Sequence, residues 1–334
     1  MSQRLSSNEM GAGLLSHWTN FWFLGRSPLS LHALRVLFGI IGIVWLLSYA
    51  GHVHDFFSYE GWFDRAAFIE AGSLADNQSW SLLYLVAHDA SLLAAFYWGS
   101  ILVLTLFTLG IFTRLTSVLS WLIIVSFTAN PLIEADTDVF LRLIYFYLMI
   151  GYVLIGLLNA TNPLELVLGS SRHWLWNSLK HDDTDTCSSA ATVTIRLMQL
   201  HVAMAIVMMG LHKLQLMEWW SGVAFWYPMN RTSTLSVDAI NDMKTRSFGY
   251  LNTISLAAYC VLAWQIFFPT FAWRTGYARG ILLGGAVAGM IGLMIIYPIP
   301  LLGPVFFLLC LVYLTDEEWN WVLSPLSRLV NGRV

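Results

Sequence analysis

The residues best placed to do chemistry lie between Arg196 and Tyr227, in the stretch R-L-M-Q-L-H-V-A-M-A-I-V-M-M-G-L-H-K-L-Q-L-M-E-W-W-S-G-V-A-F-W-Y. An apolar helix runs into Gly210-Leu211-His212-Lys213, and Trp219-Trp220-Ser221-Gly222 follows. Gly210 lets a neighbouring helix approach closely. At the mouth of a helix bundle, beside indoles, a lysine can be desolvated until its ammonium is disfavoured. That is how a lysine becomes a general base near neutral pH. The same spacing fits an interfacial lysine snorkelling between belt tryptophans. Spacing alone leaves both readings open.

His201, Met204, Met208 and His212 fall on one stripe of that helix, stepping by 3, 4 and 4 residues. Imidazole and thioether together suit a soft metal or haem. Four residues over three turns nevertheless reach too far to hold one ion unaided, and methionine is a common gap-filler. No metal centre is expected there. His52-Val53-His54-Asp55 is a weaker cluster of the same kind. Arg35, Arg142 and Arg196 lie inside apolar segments, where a charge costs at least about 2.5–3.5 kcal/mol at the centre on insertion scales. Each lies near a segment end. They either snorkel or pair with a carboxylate such as Asp138, or they converge on an anionic or quinone-like ligand. A Gly-rich phosphate loop, an H-E-x-x-H pair and a nucleophile elbow are all missing, which argues against soluble-enzyme chemistries.

These residues must be positioned by helices in lipid. Of 334 residues, 57% are hydrophobic and only 11% charged, against roughly 25% charged in a soluble domain. Too little charge is present to cover a water-facing surface. Sixteen tryptophans suit the headgroup belts. A net charge of -3 argues against a nucleic-acid partner. Cys187, Cys260 and Cys310 form no C-x-x-C pair, so neither a disulfide framework nor a thiolate zinc site is encoded. Met1–Asn20 is polar and Ser-rich without a signal-peptide pattern, so the first apolar segment is expected to stay as an anchor.

A spanning helix needs about 20 mostly apolar residues. Eight segments approach this: Leu31–Tyr49, Leu92–Phe112, Leu115–Ala129, Val139–Leu158, Ile195–Leu211, Leu251–Phe268, Ile281–Tyr297 and Leu301–Leu314. The expected fold is therefore an all-α polytopic membrane bundle of about eight transmembrane helices. Residues 1–30 form a polar or interfacial lead-in, 31–315 one membrane domain and 316–334 a short tail. Trp18–Leu24 and Pro163–Leu179 suit the headgroup plane, and His181–Ser189 is an acidic linker. With a cytoplasmic N-terminus, that side collects nine Lys/Arg against five opposite, with three in spans. The bias puts both termini in the cytoplasm and Lys213 on the far side.

The chain resembles the HTTM (horizontally transferred transmembrane) family, the membrane domain shared by vitamin K-dependent gamma-carboxylases and many bacterial proteins. The resemblance runs from about Leu31 to Trp319 and rests on three motifs. These are Leu34-Arg35-Val36-Leu37-Phe38-Gly39, then Leu109-Gly110-Ile111-Phe112-Thr113-Arg114-Leu115-Thr116. The third is Arg196-Leu197-Met198-Gln199-Leu200 through Gly210-Leu211-His212-Lys213-Leu214 to Trp219 and Gly222. In the carboxylases a lysine of the third motif deprotonates vitamin K hydroquinone; oxygen then makes a stronger base that takes a proton from substrate glutamate before carbon dioxide adds. The resemblance puts Lys213 on that lysine and His212 where animal enzymes have a preceding lysine. It implies Lys213, His212 and Asp138 as catalytic residues, with Arg35, Arg142, Arg196, Trp219 and Trp220 around a quinone or hydroquinone. Where the carboxylases carry a polar histidine region before the fourth span, this chain has Asp136-Thr137-Asp138. It ends about twenty residues after its last span, so capture of a protein substrate by a large C-terminal domain is not expected. Relatives of similar length include sporulation-delaying protein B, which looks like an accessory factor in toxin-peptide maturation. Two functions are thus implied: quinol-linked modification at a non-cytoplasmic site, or a non-catalytic membrane partner in peptide maturation or export. The implied partners are lipid and a peptide or protein that supplies substrate, in a bacterial inner membrane.

Overall fold

A backbone in hydrocarbon has no water to bond, so each apolar run must satisfy its own N–H and C=O groups as a helix. The computed structural model describes residues 7–61, 66, 70, 80–130, 133, 135–159, 187–229, 248–297 and 300–331. Its longer helices are α1 (Ser7–Phe23), α2 (Leu29–Leu47), α3 (Ala90–Leu109), α4 (Thr113–Thr128) and α5 (Asp136–Asn159). Then come α6 (Ser189–Lys213), α7 (Phe248–Ile266), α8 (Tyr277–Ile295), α9 (Leu302–Leu311) and α10 (Asp316–Asn331). Among the described residues there is no strand, only an isolated antiparallel bridge between Arg26 and Ser188. The protein is all-α.

Every one of the eight expected apolar segments is a helix here. Five of them, α2, α3, α5, α6 and α8, are long and apolar enough to cross a membrane, which makes this a multi-pass membrane protein. α4 has 16 residues and α9 has 10. At 1.5 Å per residue they reach about 24 and 15 Å, short of a hydrocarbon core of roughly 30 Å. α7 has the length, but Asn252 and Gln265 dilute its apolar run. The interfacial segment Pro163–Leu179 and most of the linker His181–Ser189 lie outside the described residues. So do Arg4, Arg65, Arg172, Lys180, Arg231, Lys244, Arg246 and Arg333 of the charge count.

The chain forms two compact units, Met1–Met198 with Leu314–Val334, and Gln199–Tyr313. In the first, α2 packs on α3, α5 and α10, while α4 packs between α3 and α5. Two glycines make the α2 contacts possible. A Cβ on Gly39 would collide with the Thr108 side chain of α3, and one on Gly42 with the Tyr145 hydroxyl of α5. Tyr145 Oη donates to the Phe38 carbonyl at 3.0 Å, and Tyr97 Oη to that of Leu46 at 2.8 Å. The α3–α4 turn needs Gly110 at φ 83° and puts Phe112 in the left-handed region at φ 48°. In the second unit, α8 packs on α9 and α7. There Gln199 bonds the Val312 carbonyl through Nε2, takes a bond from Trp273 Nε1, and offers its backbone oxygen to the Tyr313 hydroxyl.

Most hydroxyls of α3 and α4 turn back onto their own helices, the buried Ser120 of α4 being an exception. Thr105, Thr108, Ser126 and Thr128 donate to carbonyls four residues earlier at 2.7–2.8 Å. Outside the helices, Asp89 caps α3 by accepting from the N–H groups of Ser91 (2.7 Å) and Leu92 (3.1 Å). These bonds, Leu92's first, hold its carboxyl below the usual carboxylate range. A depressed folded pKa adds stability above the unfolded value, and that stability fades as pH falls through the folded one. Asp89→Asn is therefore expected to keep the cap at neutral pH and flatten the acid limb of thermal stability in detergent. An unchanged acid limb in a melting series from pH 6 downward refutes this role.

Candidate functional site

α6 delivers Lys213 at its last residue, and the chain then turns through Leu214–Leu216 into the short helix Met217–Trp220. Two backbone features hold this turn against α7. A Cβ on Gly210 would press on Gln265 and Ile266 at 3.1–3.2 Å, so the two helices approach at that level. Gly222 has φ +72°, and a Cβ there would meet Ser255 at 2.7–2.8 Å. Trp220 Nε1 donates to the Leu214 carbonyl at 2.6 Å, and Tyr259 Oη to that of Trp220 at 2.8 Å. Beneath the turn, Trp219, Ala224, Ala258 and Leu262 form an apolar cluster.

Lys213 Nζ donates to Gln265 Oε1 at 2.7 Å. It also stands 5.1 Å from the centroid of the buried Trp219 ring. Both contacts lie within the second unit. Among the described residues the only ion pair is His52–Asp55 at 2.9 Å, so no described carboxylate holds Lys213. A half-buried amine with one amide acceptor and one aromatic face is neither a salt bridge nor a water-facing anchor. This arrangement can receive a proton and steady the resulting cation. Sequence reasoning missed Gln265. Its signal was a single amide in the apolar run Leu262-Ala263-Trp264-Gln265-Ile266.

Of the other expected residues, Trp219 joins Lys213 directly, whereas Trp220 is 63% exposed and braces the turn through its indole N–H and its carbonyl. His212 is exposed next to Lys213. The stripe it belongs to faces outward, with Met204 57% and Met208 61% exposed. Among the described residues no three His, Cys, Asp or Glu side chains gather as a metal site.

Asp138 and the three arginines belong to the first unit. Asp138 is buried at the start of α5 and accepts from the Ala135 N–H at 3.2 Å. Tyr49, just beyond α2, is pushed up to about 12 by burial and, secondarily, by the charge of Asp138. Arg35 corrects one expectation: it does not snorkel. It is fully buried, and Nη1 donates to Tyr152 Oη at 3.3 Å, because α2 is covered by α3, α5 and α10. Tyr152 lies fourteen residues along α5 from Asp138, about 21 Å, so Arg35 does not use that carboxylate. Arg142 is ten residues from Tyr152 on the same helix, about 15 Å. Arg196 places its guanidinium 4.2 Å from the Phe21 ring centroid.

No known protein family, curated protein or solved structure matches this chain.

Proposed function

We propose that the chain is an HTTM-like integral membrane protein that performs quinol-linked modification chemistry at Lys213. In this reading all eight apolar helices cross the bilayer, α9 with the help of Val312–Leu314. Both termini lie in the cytoplasm of a bacterial cell, and Lys213 opens to the opposite face. One observation carries the functional part: Lys213 Nζ is held by an amide oxygen at 2.7 Å and an indole face at 5.1 Å, with no described carboxylate beside it. The residue set fits a hydroquinone. It offers a proton acceptor, an amide and an aromatic wall at the edge of an apolar cluster.

A bound hydroquinone supplies an ionisable hydroxyl and two electrons. Lys213, as the amine, takes a proton at Nζ. Gln265 Oε1 fixes the direction of Nζ, and the Trp219 face stabilises the ammonium that forms. Gly210 and Gly222 keep α7 close enough for Gln265 to do this.

Lipid extraction of the purified protein tests the reading. A quinone near one per chain supports it. No quinone, together with a co-purifying small peptide, turns the assignment to a non-catalytic partner in peptide maturation or export. A second test uses Gln265→Glu, which sets a carboxylate against Nζ and ties the amine into an ion pair. Turnover with a quinol is expected to fall about a hundredfold, with the melting midpoint kept. Undiminished turnover excludes Lys213 as the base.

A further inference from the structure

Among the described residues, the first unit holds a cation that no side chain neutralises. Arg35 is fully buried, and its guanidinium carbon lies 5.5 Å from the Tyr152 ring centroid. Nη1 donates to Tyr152 Oη, whereas Nε and Nη2 have no hydrogen-bond partner among the described residues. Tyr152 Oη also lies 2.7 Å from His32 Nδ1, with the donor of that bond set by the imidazole tautomer. Of the three guanidinium nitrogens, the tyrosine serves Nη1 alone.

The two unserved nitrogens form one edge of the guanidinium. Nε–H and Nη2–H point the same way, and that edge matches two oxygens of a carboxylate or phosphate in the bidentate manner. Guanidinium does not lose its proton in proteins, so the charge cannot be discarded instead. The nearby acid Asp316 accepts from Ser30 Oγ at 3.0 Å and forms no ion pair with Arg35. A second buried donor without a partner, Trp319 Nε1, lies on α10, one turn beyond Asp316, and α10 packs on α2. Unserved donors on two packed helices, one of them a cation, call for an acceptor that brings negative charge.

We propose that Arg35 binds an oxyanion through its Nε–Nη2 edge, with Trp319 Nε1 as a further donor, at a site independent of Lys213. The ligand class is a carboxylate or phosphate. Arg35 is six residues from the start of α2, about 9 Å along the helix. At that depth the oxyanion comes either from an anionic lipid headgroup or from a small anion in solution.

The test uses the full chain in a non-ionic detergent and follows thermal unfolding. Inorganic phosphate, acetate and phosphatidylglycerol are titrated separately, with phosphatidylcholine as the zwitterionic lipid control. A saturable rise in the melting midpoint is expected with at least one oxyanion. Phosphate or acetate acting alone identifies a soluble ligand. Phosphatidylglycerol acting where phosphatidylcholine does not identifies a headgroup. Arg35→Gln should weaken the apparent affinity roughly tenfold or more, and Trp319→Phe should weaken it less, while Lys213→Ala leaves it unchanged. If Arg35→Gln fails to fold, Arg35→Lys takes its place, since a point charge keeps attraction but loses the bidentate edge. No stabilisation of the wild-type protein by any oxyanion, or equal stabilisation of the arginine variants, overturns the proposal.

Discussion

Lys213→Ala is expected to abolish quinol-linked turnover, by a factor on the order of 10² to 10⁴ for a lost general base, and to reduce the quinone recovered with the protein. Insertion into the membrane should survive, because the apolar run of α6 ends before this side chain. Some stability is lost as well. Gln265 is buried and Lys213 donates to its Oε1, and an amide stripped of its donor costs about 1–3 kcal/mol. Lys213→Ala combined with Gln265→Leu removes both partners and should restore the melting midpoint without restoring turnover. That pair separates the chemical role from the structural one. Normal turnover in Lys213→Ala would end the catalytic reading.

Gly42→Val should strike the fold of the first unit harder than any surface change. The added carbons run into the Tyr145 hydroxyl, which is buried and bonded to the Phe38 carbonyl. Overpacking of this kind costs about 1–3 kcal/mol, occasionally more. The expected signature is a fall in melting midpoint and a loss of monodisperse protein in detergent. Gly42→Ala with Tyr145→Phe should recover part of the loss. Deleting the hydroxyl removes the closest atom, although the ring carbon behind it still lies 3.0 Å from the new Cβ. If the double variant melts no higher than Gly42→Ala, this contact is not the cause.

The apolar runs made the helices legible, since lipid-facing backbone admits little else. Ends were less legible, and two of the longer helices were not anticipated as such. α10 was read as a tail, yet Thr315-Asp316-Glu317-Glu318 carries the capping-box spacing. In the structure Glu318 Oε2 accepts from the Thr315 N–H at 2.8 Å, and Thr315 Oγ1 from that of Glu318 at 3.3 Å. α1 was read only through its aromatic end, Trp18–Leu24. At the candidate site, Lys213 and Trp219 stood six residues apart and could be paired by eye. Gln265 lies 52 residues from Lys213. No local pattern encodes that approach, because it depends on how closely Gly210 lets two helices pack. Arg35 was visible as a costly charge, but its burial against Tyr152 is set by tertiary packing.

The inward-turned hydroxyls of α3 and α4 bear on how such segments are recognised during biogenesis. Residue scales charge Ser and Thr for a polar group that must be dehydrated, yet for most of these hydroxyls, Ser120 excepted, that dehydration is already compensated by the helix's own carbonyls. What the surrounding hydrocarbon meets is chiefly methyl and methylene. A sixteen-residue stretch rich in Ser and Thr then partitions more like an alanine-rich one, and α4 can pass from the translocon into lipid more readily than its composition suggests.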